Sequence, residues 1–469
     1  MIRAESSLSE LARRYFGGSS PTPIEDWSNE TLRAYQQDAL AEQLEHVYAN
    51  NEFYRGKCDA SGVKPGDFHS LDDFARFPFT EKDELRGKPW ALLSVPKSEV
   101  CLTHTSTGTT GGEWSYVHYT WDDMHAGDWA PFPHRLMDIQ ETDVVVNALP
   151  YEMSSAGQSF QRSLQGAAGA LVVPVGKGGF YSEADKTVRV MADLKADVLI
   201  TTPPYAMLLS EVAEAFDLRS NADIGLRLLW LTGEGCSPAY RRRLQDLWNC
   251  PAYVFYGSLE CGPIGIECRE QSGCHISSGY VYLEIVDPET GQPKPPGEVG
   301  EVVCTTLQRK AAPLIRFRTQ DLAMIQPEPC SCGVVFPKLH IRGRVVDQVK
   351  SPAAGRNESG GKENCSEEAI SPYAIEEVLY SQSEMGANYQ IYIVESGLRI
   401  EAELAEGVDD GEPTRKRILN ILKDRGIKAE LEWVEHIPRT GGKTRRVRPF
   451  SQQSETMAQP CVLHSALKK

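Results

Sequence analysis

Residues 196–204 read ADVLITTPP, and residues 227–235 read RLLWLTGEG. Each is a short aliphatic run that ends in Thr, Pro or Gly, which is typical of a buried strand. Two earlier runs, DVVVNALP at 143–150 and GALVVPV at 169–175, have the same form, and segments with helical spacing separate the runs. Strands that alternate with helices predict α/β layers around a largely parallel sheet. Ligands bind at the carboxyl ends of such strands.

The segments outside this core differ in character. Apolar residues recur at helical spacing from Ser28 to Asn50, and we expect a second helical stretch from Ser70 to Arg86. Residues 280–306 contain two β-rich runs around a Pro/Gly/Asp cluster, which predicts a hairpin. Residues 351–371 are polar and nearly lack large apolar side chains, which is typical of a long loop or a disordered insert. A small α/β region follows them.

The predicted fold class is therefore mixed α/β. A large N-terminal α/β body with several subdomains, one of them β-rich, is expected over residues 1–343. A small mobile C-terminal α+β domain is expected over residues 344–450, and residues 451–469 are expected to form a polar tail. The length of 469 residues allows about two to four compact regions of this kind.

Composition and charge exclude several classes of function. Lys and Arg number 49 and Asp and Glu number 65, so the net charge is -16 and a nucleic acid or an anionic membrane would be repelled. No stretch approaches the roughly 18 to 20 apolar residues that cross a bilayer. The 12 cysteines do not resemble a small disulfide scaffold, and the first residues lack the apolar core of a secretion signal. We therefore expect a cytoplasmic protein without nucleic-acid or membrane partners.

A run of glycines and hydroxyl residues follows a strand-like segment at 100–103. It reads HTSTGTTGG at residues 104–112. The glycines allow backbone N–H groups to point toward one centre and the hydroxyls add donors, which suits the oxygens of a polyphosphate. The run is not a Walker loop, because no Gly-Lys-Ser/Thr ends it. A flexible linker is the alternative interpretation of this stretch alone.

Two carboxylates stand in similar positions after strand-like runs. Glu260 ends YGSLE at 256–260, where a carboxylate could bind the Mg²⁺ of a nucleotide. Asp321 ends RFRTQD at 316–321, where it could accept both hydroxyls of a ribose. Taken singly, an exposed loop glutamate and a surface ion pair between Arg318 and Asp321 are the commoner explanations.

Two further motifs lie toward the C-terminus. GRVVD at 343–347 marks the predicted domain boundary. PRTGGK at 438–443 places Lys443 after two glycines, on a mobile loop that could carry a point charge to a distant site. A solvated lysine is the alternative interpretation.

Cysteine and histidine spacing suggests a metal site. Six residues separate Cys268 from His275, and Cys330 and Cys332 form a CxC pair further along the chain. Thiolates and an imidazole are the ligands of a closed tetrahedral zinc site. Reduced cysteines scattered through the chain are the alternative, and Cys274 could replace His275 as a ligand.

In this order, the motifs resemble those of the acyl-adenylate-forming superfamily, and within it those of the phenylacetate–CoA ligase family. Residues 53–87 are similar to that family's N-terminal region. The other correspondences are STGTTG with its phosphate loop, TGEG with its adenine motif, YGSLE with its Mg²⁺ motif, PLIRFRTQDL with its ribose motif, GRVVD with its hinge and IPRTGGK with its lysine loop. The likeness covers roughly residues 30–449.

The resemblance implies ATP-dependent activation of a carboxylic acid as an acyl-adenylate, release of pyrophosphate and transfer of the acyl group, with CoA as the first choice of acceptor. The implied cofactors are ATP and Mg²⁺. The implied catalytic residues are Lys443, which would bridge the carboxylate and the α-phosphate, and Glu260, which would bind Mg²⁺. The implied nucleotide-binding residues are Thr105, Ser106, Thr107, Gly108, Thr109, Thr110, Gly111, Gly233, Glu234, Gly235, Tyr256, Gly257, Ser258, Asp321 and Arg344.

The resemblance also implies an acyl pocket and a zinc ion. The pocket residues would be Tyr151, Glu152, Met153, Ala156 and Gly157. The aromatic and thioether side chains among them suit a flat ring, so we expect a small aryl acid; the glutamate either selects an amino or hydroxyl substituent or faces solvent. Several members of the family carry zinc on Cys, His and a CxC pair, which favours Cys268, His275, Cys330 and Cys332 as ligands of a structural zinc.

The family's C-terminal domain rotates about a hinge between the two stages, and the matching hinge residues are Val346 and Asp347. Val346 stands where the family has an acidic residue, and residues 351–371 replace a short loop that helps to form the pantetheine channel. Gln320 replaces a glycine, and Gly112-Glu113 replaces Lys-Pro. Adenylation is therefore better supported than transfer to CoA.

Other interpretations remain open at the level of sequence. An amine, or the thiol of a carrier protein or another protein, is the alternative acceptor. A catalytically inactive, zinc-stabilised binding protein is the second alternative. A homodimer is compatible with the sequence.

Overall fold

A computed structural model describes residues 14–15, 23–106, 113–125, 133–179, 181–218, 223–350, 369–394, 397–437 and 446–449. The chain divides into two compact units. Unit 1 contains the described residues up to Pro174 and Tyr253–Ile341. Unit 2 contains Val175–Ala252 and the described residues from Arg342 onward. The predicted division at Gly343 lies next to the start of the second segment of unit 2, and the domain limits stay a prediction.

Most of the described α-helices begin at a capping residue or a proline. They are α1 (Asn29–Asn50), α2 (Glu52–Ala60), α3 (Lys82–Leu85), α4 (Trp121–His125), α5 (Pro133–Met137), α6 (Ala156–Ser163), α7 (Ala184–Asp193), α8 (Pro203–Ala215), α9 (Pro238–Trp248), α10 (Pro372–Tyr380) and α11 (Glu412–Asp424). In α9, Ser237 caps the first turn by accepting the N–H of Tyr240, and Pro238 occupies the first position, where its missing N–H costs no hydrogen bond. None of the helices in the described ranges is long and apolar enough to span a bilayer.

Unit 1 contains most of the β structure. Its strands are β1 (Leu102–Thr105), β2 (Tyr116–Tyr119), β3 (Val144–Asn147), β4 (Leu171–Pro174), β7 (Ala252–Ser258), β8 (Gly262–Glu267), β9 (Cys274–Ile276), β10 (Val281–Val286), β11 (Gly300–Thr306), β12 (Phe317–Ile325) and β13 (Lys338–Arg344), with β5 and β6 in unit 2. β1 and β2 form a separate antiparallel hairpin. β3 and β4 pair in parallel across α6, which makes a β–α–β unit.

The other strands of unit 1 run in the order β10-β11-β12-β13-β9-β8-β7. β10 pairs antiparallel with β11, as the predicted hairpin requires. Antiparallel pairing already begins at β7 and β8, earlier than the change expected near residue 280, because Gly257 and Gly262 close a tight turn between these strands. α1 covers this region with a buried face of Leu32, Tyr35 and Leu44 at helical spacing.

Unit 2 combines a parallel pair with a small sheet. β5 (Val198–Thr201) and β6 (Leu228–Leu231) are fully buried and parallel, as the opening sequences predicted. The later strands are β14 (Val349–Lys350), β15 (Ala369–Ile370), β16 (Met385–Val394), β17 (Gly397–Leu404), β18 (Ala429–Trp433) and β19 (Val447–Pro449). The last four form a sheet in the order β18-β17-β16-β19.

Two local expectations differ from the structure. The stretch from Ser70 to Arg86 is not one helical segment: a 3₁₀ helix spans Leu71–Arg76 and α3 follows at Lys82–Leu85. Pro78 lies between them and opposes the helical conformation of the residue before it. Within the predicted loop 351–371, β15 pairs with β14, and residues 351–368 lie outside the described ranges.

Candidate active site

The stem of the predicted phosphate loop is the β1–β2 hairpin of unit 1. The N–H of Ser106 donates to the carbonyl of Ser115 at 2.9 Å, and the N–H of Ser115 donates to Oγ of Ser106 at 3.0 Å. Thr105 pairs with Tyr116 directly below this closure. The remaining predicted phosphate ligands, Thr107, Gly108, Thr109, Thr110 and Gly111, lie outside the described residues.

The predicted acyl-pocket loop is bound to this stem. The carbonyl of Met153 accepts the N–H of Thr105 at 2.9 Å and lies 3.3 Å from Nδ1 of His104. Burial lowers the pKa of His104, which favours the neutral ring. Met153 has a φ of 54°, so the loop reverses at that residue. The position of one predicted acyl residue is therefore coupled to the base of the phosphate loop.

The other residues of this loop surround the first turn of α6. The amide of Asn147 donates to the hydroxyl of Tyr151 at 2.9 Å. A Cβ atom on Gly157 would lie 2.6 Å from the Tyr151 ring and 2.7 Å from the Pro150 carbonyl, so only glycine fits there. The carboxylate of Glu152 accepts its neighbour's N–H and is exposed, while Ala156 begins the helix.

The predicted Mg²⁺ ligand lies in the turn between β7 and β8. Glu260 is 7% exposed, and its Oε1 lies 3.1 Å from Nζ of Lys82 at the start of α3. Oγ of Ser258 accepts the N–H of Cys261 at 3.0 Å and closes the turn. A carboxylate can accept about four hydrogen bonds, so it has the capacity to bind a lysine and a cation together. The burial and the charge of Glu260 fit a cation site.

Strand β7, which leads into this turn, carries a second polar pair. The hydroxyl of Tyr256 donates to Oδ2 of Asp321 at 2.6 Å. Burial, followed by the adjacent carboxylate of Asp321, raises the pKa of Tyr256 well above its usual range, so the hydroxyl stays a donor. A Cβ on Gly257 would lie 2.6 Å from the carbonyl of Gly262, which explains the glycine beside this pair. The structure thus brings Asp321 beside the predicted Mg²⁺ motif.

The four predicted zinc ligands come together in unit 1. One ligand atom from each of Cys268, His275, Cys330 and Cys332 lies within 4.8 Å of all the others. Sγ of Cys268 is 3.8 Å from Sγ of Cys330, and Sγ of Cys332 is 3.2 Å from Nε2 of His275. Zn–S bonds of about 2.3 Å in a tetrahedron place two sulfurs about 3.8 Å apart. The cluster therefore has the size of a closed zinc site.

The histidine of this cluster is held in a ligand-ready orientation. Nδ1 of His275 lies 2.8 Å from the carbonyl of Phe336, to which it donates, so that Nε2 carries the lone pair toward the thiols. Burial lowers the pKa of His275. The thiol of Cys274 instead lies 3.7 Å from the carbonyl of Val254, because neighbouring residues of β9 point to opposite faces. Geometry therefore favours His275 over Cys274.

The remaining predicted residues belong to unit 2. Gly233 follows β6 with a φ of 83°, Gly235 lies two residues later, and the side chain of Glu234 pairs with Lys177 at 3.4 Å. Arg344 ends β13, and a short 3₁₀ helix at Val345–Asp347 contains both predicted hinge residues, Val346 and Asp347. Lys443 lies outside the described residues.

Sequence reasoning missed two cations of unit 1. Lys82 was part of the N-terminal stretch that carried the family likeness, but no role was assigned to it. Arg309, 1% exposed, donates to the backbone carbonyl of Glu260. The signal for Lys82 was indirect, since Gly112 and Glu113 leave the phosphate loop without its usual lysine.

Comparisons with known proteins agree with these features. A family model described as AMP-binding enzyme matches residues 34–308. A phenylacetate-coenzyme A ligase of Thermus thermophilus is 32% identical over 418 residues, which cover 87% of this chain and 88% of that protein. A phenylacetate-coenzyme A ligase of Escherichia coli K12 is 30% identical over 444 residues, which cover 91% of this chain and 96% of that protein.

Solved structures with a related fold were also found. A 2-hydroxyisobutyryl-CoA ligase in the postadenylation state, in complex with 2-HIB-AMP, gives a TM-score of 0.82 at 23% identity, covering 95% of this chain and 94% of that one. An anthranilate CoA ligase in complex with anthranoyl-AMP gives a TM-score of 0.56 at 16% identity, covering 76% of this chain and 67% of that one. At these identities the likeness supports the mixed α/β fold.

Proposed function

Because the chain belongs to the AMP-binding enzymes and, among them, to the phenylacetate–CoA ligase family, we propose that it activates a small aryl acid with ATP and transfers the acyl group to CoA. The chain is an AMP-forming acid ligase, and the finer proposal concerns its substrate and its residues. The observation that carries the assignment of the site lies in unit 1: Tyr256 of β7 binds Asp321 of β12, and β7 leads directly into the turn that holds the buried Glu260.

The reaction proceeds in two steps. A carboxylate oxygen attacks the α-phosphorus of ATP, the bond to the β-phosphate oxygen breaks, and pyrophosphate leaves. The CoA thiol then loses its proton and attacks the acyl carbonyl, and AMP leaves. A carboxylate is a poor electrophile and AMP is a good leaving group, so the first step makes the second one feasible.

Each group of residues has a proposed part in the first step. The backbone N–H groups and hydroxyls of the phosphate loop would bind phosphate oxygens. Thr105 and Ser106 would contribute through their side chains, because their own N–H groups are bonded to the carbonyls of Met153 and Ser115, and Asp321 would accept the ribose hydroxyls. Glu260 would hold Mg²⁺, which when bound neutralises charge on the phosphates. Lys82, beside Glu260, would supply part of the positive charge that Gly112-Glu113 lacks.

Residues of unit 2 and of the C-terminal loop complete the proposal. Gly233, Glu234 and Gly235 would line the adenine and acyl side, and Arg344 would lie near the ribose. Lys443 would bridge the substrate carboxylate and the α-phosphate as charge develops there. Val346 and Asp347 would form the hinge of a C-terminal domain that changes position between the steps.

The proposed substrate is an aryl acid because of the residues of the acyl loop. Tyr151, oriented by Asn147, and Met153 offer flat and polarizable surfaces. The exposure of Glu152 argues against its use as an inward-facing partner for an amino substituent. The names of the relatives, which are phenylacetate-coenzyme A ligases, point to the same class of acid.

We further propose that the cluster of Cys268, His275, Cys330 and Cys332 binds one structural zinc ion. The size of the cluster and the orientation of His275 support this. Four protein ligands would leave no open coordination position, so the ion would tie β8 and β9 to the segment before β13 rather than contact substrate.

The deciding experiment is acid-dependent exchange of pyrophosphate into ATP with a panel of carboxylic acids, followed by mass analysis of products with CoA or amines. Exchange with aryl acids and an acyl-CoA product are expected. Exchange with none of the acids would contradict the ligase assignment. Lys443→Ala should lower exchange by on the order of 100-fold. A cytoplasmic location and a homodimer are further proposals, tested by fractionation and by light scattering.

A further inference from the structure

Arg309 is a buried cation that the reaction described above does not use. It is 1% exposed and lies in the turn between β11 and β12. Burial opposes its charge, but Tyr280, Tyr119 and the carboxylate of Asp123 favour the charged form and raise the pKa of Arg309 overall. Among the described residues, its Nε has no hydrogen-bond partner. A buried charge without a paired anion is unfavourable unless surrounding dipoles compensate it. The partners that stabilise the charge of Arg309 therefore indicate what the residue holds in place.

The hydrogen bonds of Arg309 lead to the turn that carries Glu260. Nη1 donates to the backbone carbonyl of Glu260, and Nη2 donates to the hydroxyl of Tyr280 at 2.8 Å. Gly262, with a φ of 76°, makes room for this contact: a Cβ there would lie 3.2 Å from Nη2 and 3.0 Å from the Tyr280 hydroxyl. The guanidinium therefore fixes the main chain on which the Glu260 carboxylate is mounted.

The same residue also faces the phosphate hairpin. The guanidinium carbon lies 5.2 Å from the centre of the Tyr119 ring, at the end of β2, which is within the range of a cation–π contact. Next to it, the N–H groups of Lys310 and Ala311 donate to the carboxylate of Asp123 at 2.6 Å and 2.9 Å. Asp123 belongs to α4, which follows β2 directly. Residues 309–311 thus bind both the hairpin and the Glu260 turn.

We propose that Arg309 is a positioning residue of the nucleotide site: it holds the turn that carries Glu260 at a fixed position relative to the β1–β2 hairpin, and so sets the position of the proposed Mg²⁺ ligand. This proposal rests on the proposed function only in taking the ligand to be ATP with a divalent cation. Tyr280 supports the guanidinium and shares its role in a weaker form.

The test is ATP binding by calorimetry with Mg²⁺ and with EDTA, in the absence of an acid, so that no turnover is involved. Arg309→Lys retains the charge and loses the two-pronged geometry. We expect the Kd for ATP with Mg²⁺ to rise on the order of 10- to 100-fold, and the Kd in EDTA to change much less. Binding of Mn²⁺ in the ATP complex, followed by electron paramagnetic resonance, should weaken in parallel.

Tyr280→Phe is the second variant, and it decides the matter if Arg309→Lys does not fold. It should give a smaller rise in the same direction. Tyr54→Phe is the matched control, because Tyr54 is a buried tyrosine of unit 1 whose hydroxyl donates to the carbonyl of Pro313. Tyr54→Phe should lower stability without changing the effect of Mg²⁺ on ATP binding.

Loss of stability in Tyr280→Phe with an unchanged Mg²⁺ effect would overturn the proposal, as would equal rises of the Kd with Mg²⁺ and with EDTA. A different result would contradict the proposed function itself: a wild-type protein that binds ATP but exchanges no pyrophosphate with any acid.

Discussion

The hydroxyl of Tyr256 donates a hydrogen bond to Oδ2 of Asp321 at 2.6 Å, across 65 residues of sequence. The bond fixes the orientation of the Asp321 carboxylate, whose main chain lies in β12. If Asp321 accepts the ribose hydroxyls, Asp321→Asn should raise the Kd for ATP by on the order of 10- to 100-fold, since hydrogen bonds to a charged acceptor contribute about 1.5 to 3 kcal/mol. Tyr256→Phe should have a smaller effect.

Calorimetry with ATP and with the triphosphate of 2′,3′-dideoxyadenosine separates these effects. The wild type should prefer ATP, and Asp321→Asn should bind both nucleotides with similar affinity. A variant that still distinguishes the two nucleotides as the wild type does would place the ribose elsewhere.

Zinc removal has a matched internal control. Cys330→Ser removes one ligand of the proposed tetrahedron, so the zinc content should fall from about one ion per chain toward zero, and the melting temperature should fall with it. Cys274→Ser removes a buried thiol next to His275 whose sulfur faces the carbonyl of Val254. It should retain the metal. Elemental analysis of both variants provides the measurement, and a wild-type protein without zinc would refute the metal assignment.

Gln320 occupies a backbone conformation that favours glycine. Its φ is 64°, and this left-handed region costs a non-glycine residue about 1 kcal/mol or more. Gln320→Gly should remove the strain, although glycine gains entropy in the unfolded chain, so we expect a net stabilisation below about 1 kcal/mol. Gln320→Ala keeps the strain and serves as the control. In urea denaturation, a glycine variant no more stable than the alanine variant would disprove this account.

Glu377 stabilises the N-terminus of α9 in unit 2. Its carboxylate accepts the N–H of Ala239 at 2.6 Å and pairs with Arg242 at 3.0 Å. The negative charge also interacts favourably with the positive end of the helix dipole. Glu377→Gln should therefore lower the free energy of unfolding by about 1 kcal/mol and speed hydrogen exchange at the amide of Ala239.

Glu412→Gln is the control for this substitution, because Glu412 forms only a surface ion pair with Arg415 and Lys416 within α11. In Glu412→Gln, hydrogen exchange at the amide of Ala239 should be the same as in the wild type. Equal effects of the two variants would mean that loss of any carboxylate in this unit, and not the contact with α9, is responsible.

Local sequence was most informative where one signal determines one element. Helix α9 (Pro238–Trp248) is one of the helical segments expected between the strand-like runs, and a serine cap and a proline mark its start. The grouping of Cys268, His275, Cys330 and Cys332 was expected from the spacing of the ligands together with the family resemblance, and the four ligand atoms lie close together. The stretch 70–86 was wrongly expected to be helical because periodicity outweighed Pro78. The proposed roles of Lys82 and Arg309 depend on their contacts with Glu260, which is distant in sequence. A local sequence pattern cannot indicate contacts of that kind.

Buried histidines should make stability depend on pH, and His118 is the most direct case. It is 1% exposed; Nε2 donates to the carbonyl of Pro89 at 2.6 Å, and Nδ1 accepts the hydroxyl of Thr103 at 2.9 Å. Burial lowers the pKa of His118 below 6.5, so the unfolded chain binds the proton more readily than the folded one. The free energy of unfolding should therefore fall as the pH drops from about 7.5 toward 5.5, with at most about 1.4 kcal/mol per pH unit from this group.

His118→Gln removes the titrating ring and should flatten this dependence in urea denaturation at several pH values, even though the variant is less stable at pH 7.5. Thr103→Val deletes the hydroxyl partner and keeps the ring, so it should lower stability while retaining the slope. A His118→Gln variant whose unfolding free energy follows pH as steeply as that of the wild type would assign the slope to other groups, of which His104 is the first to test, since burial lowers its pKa as well.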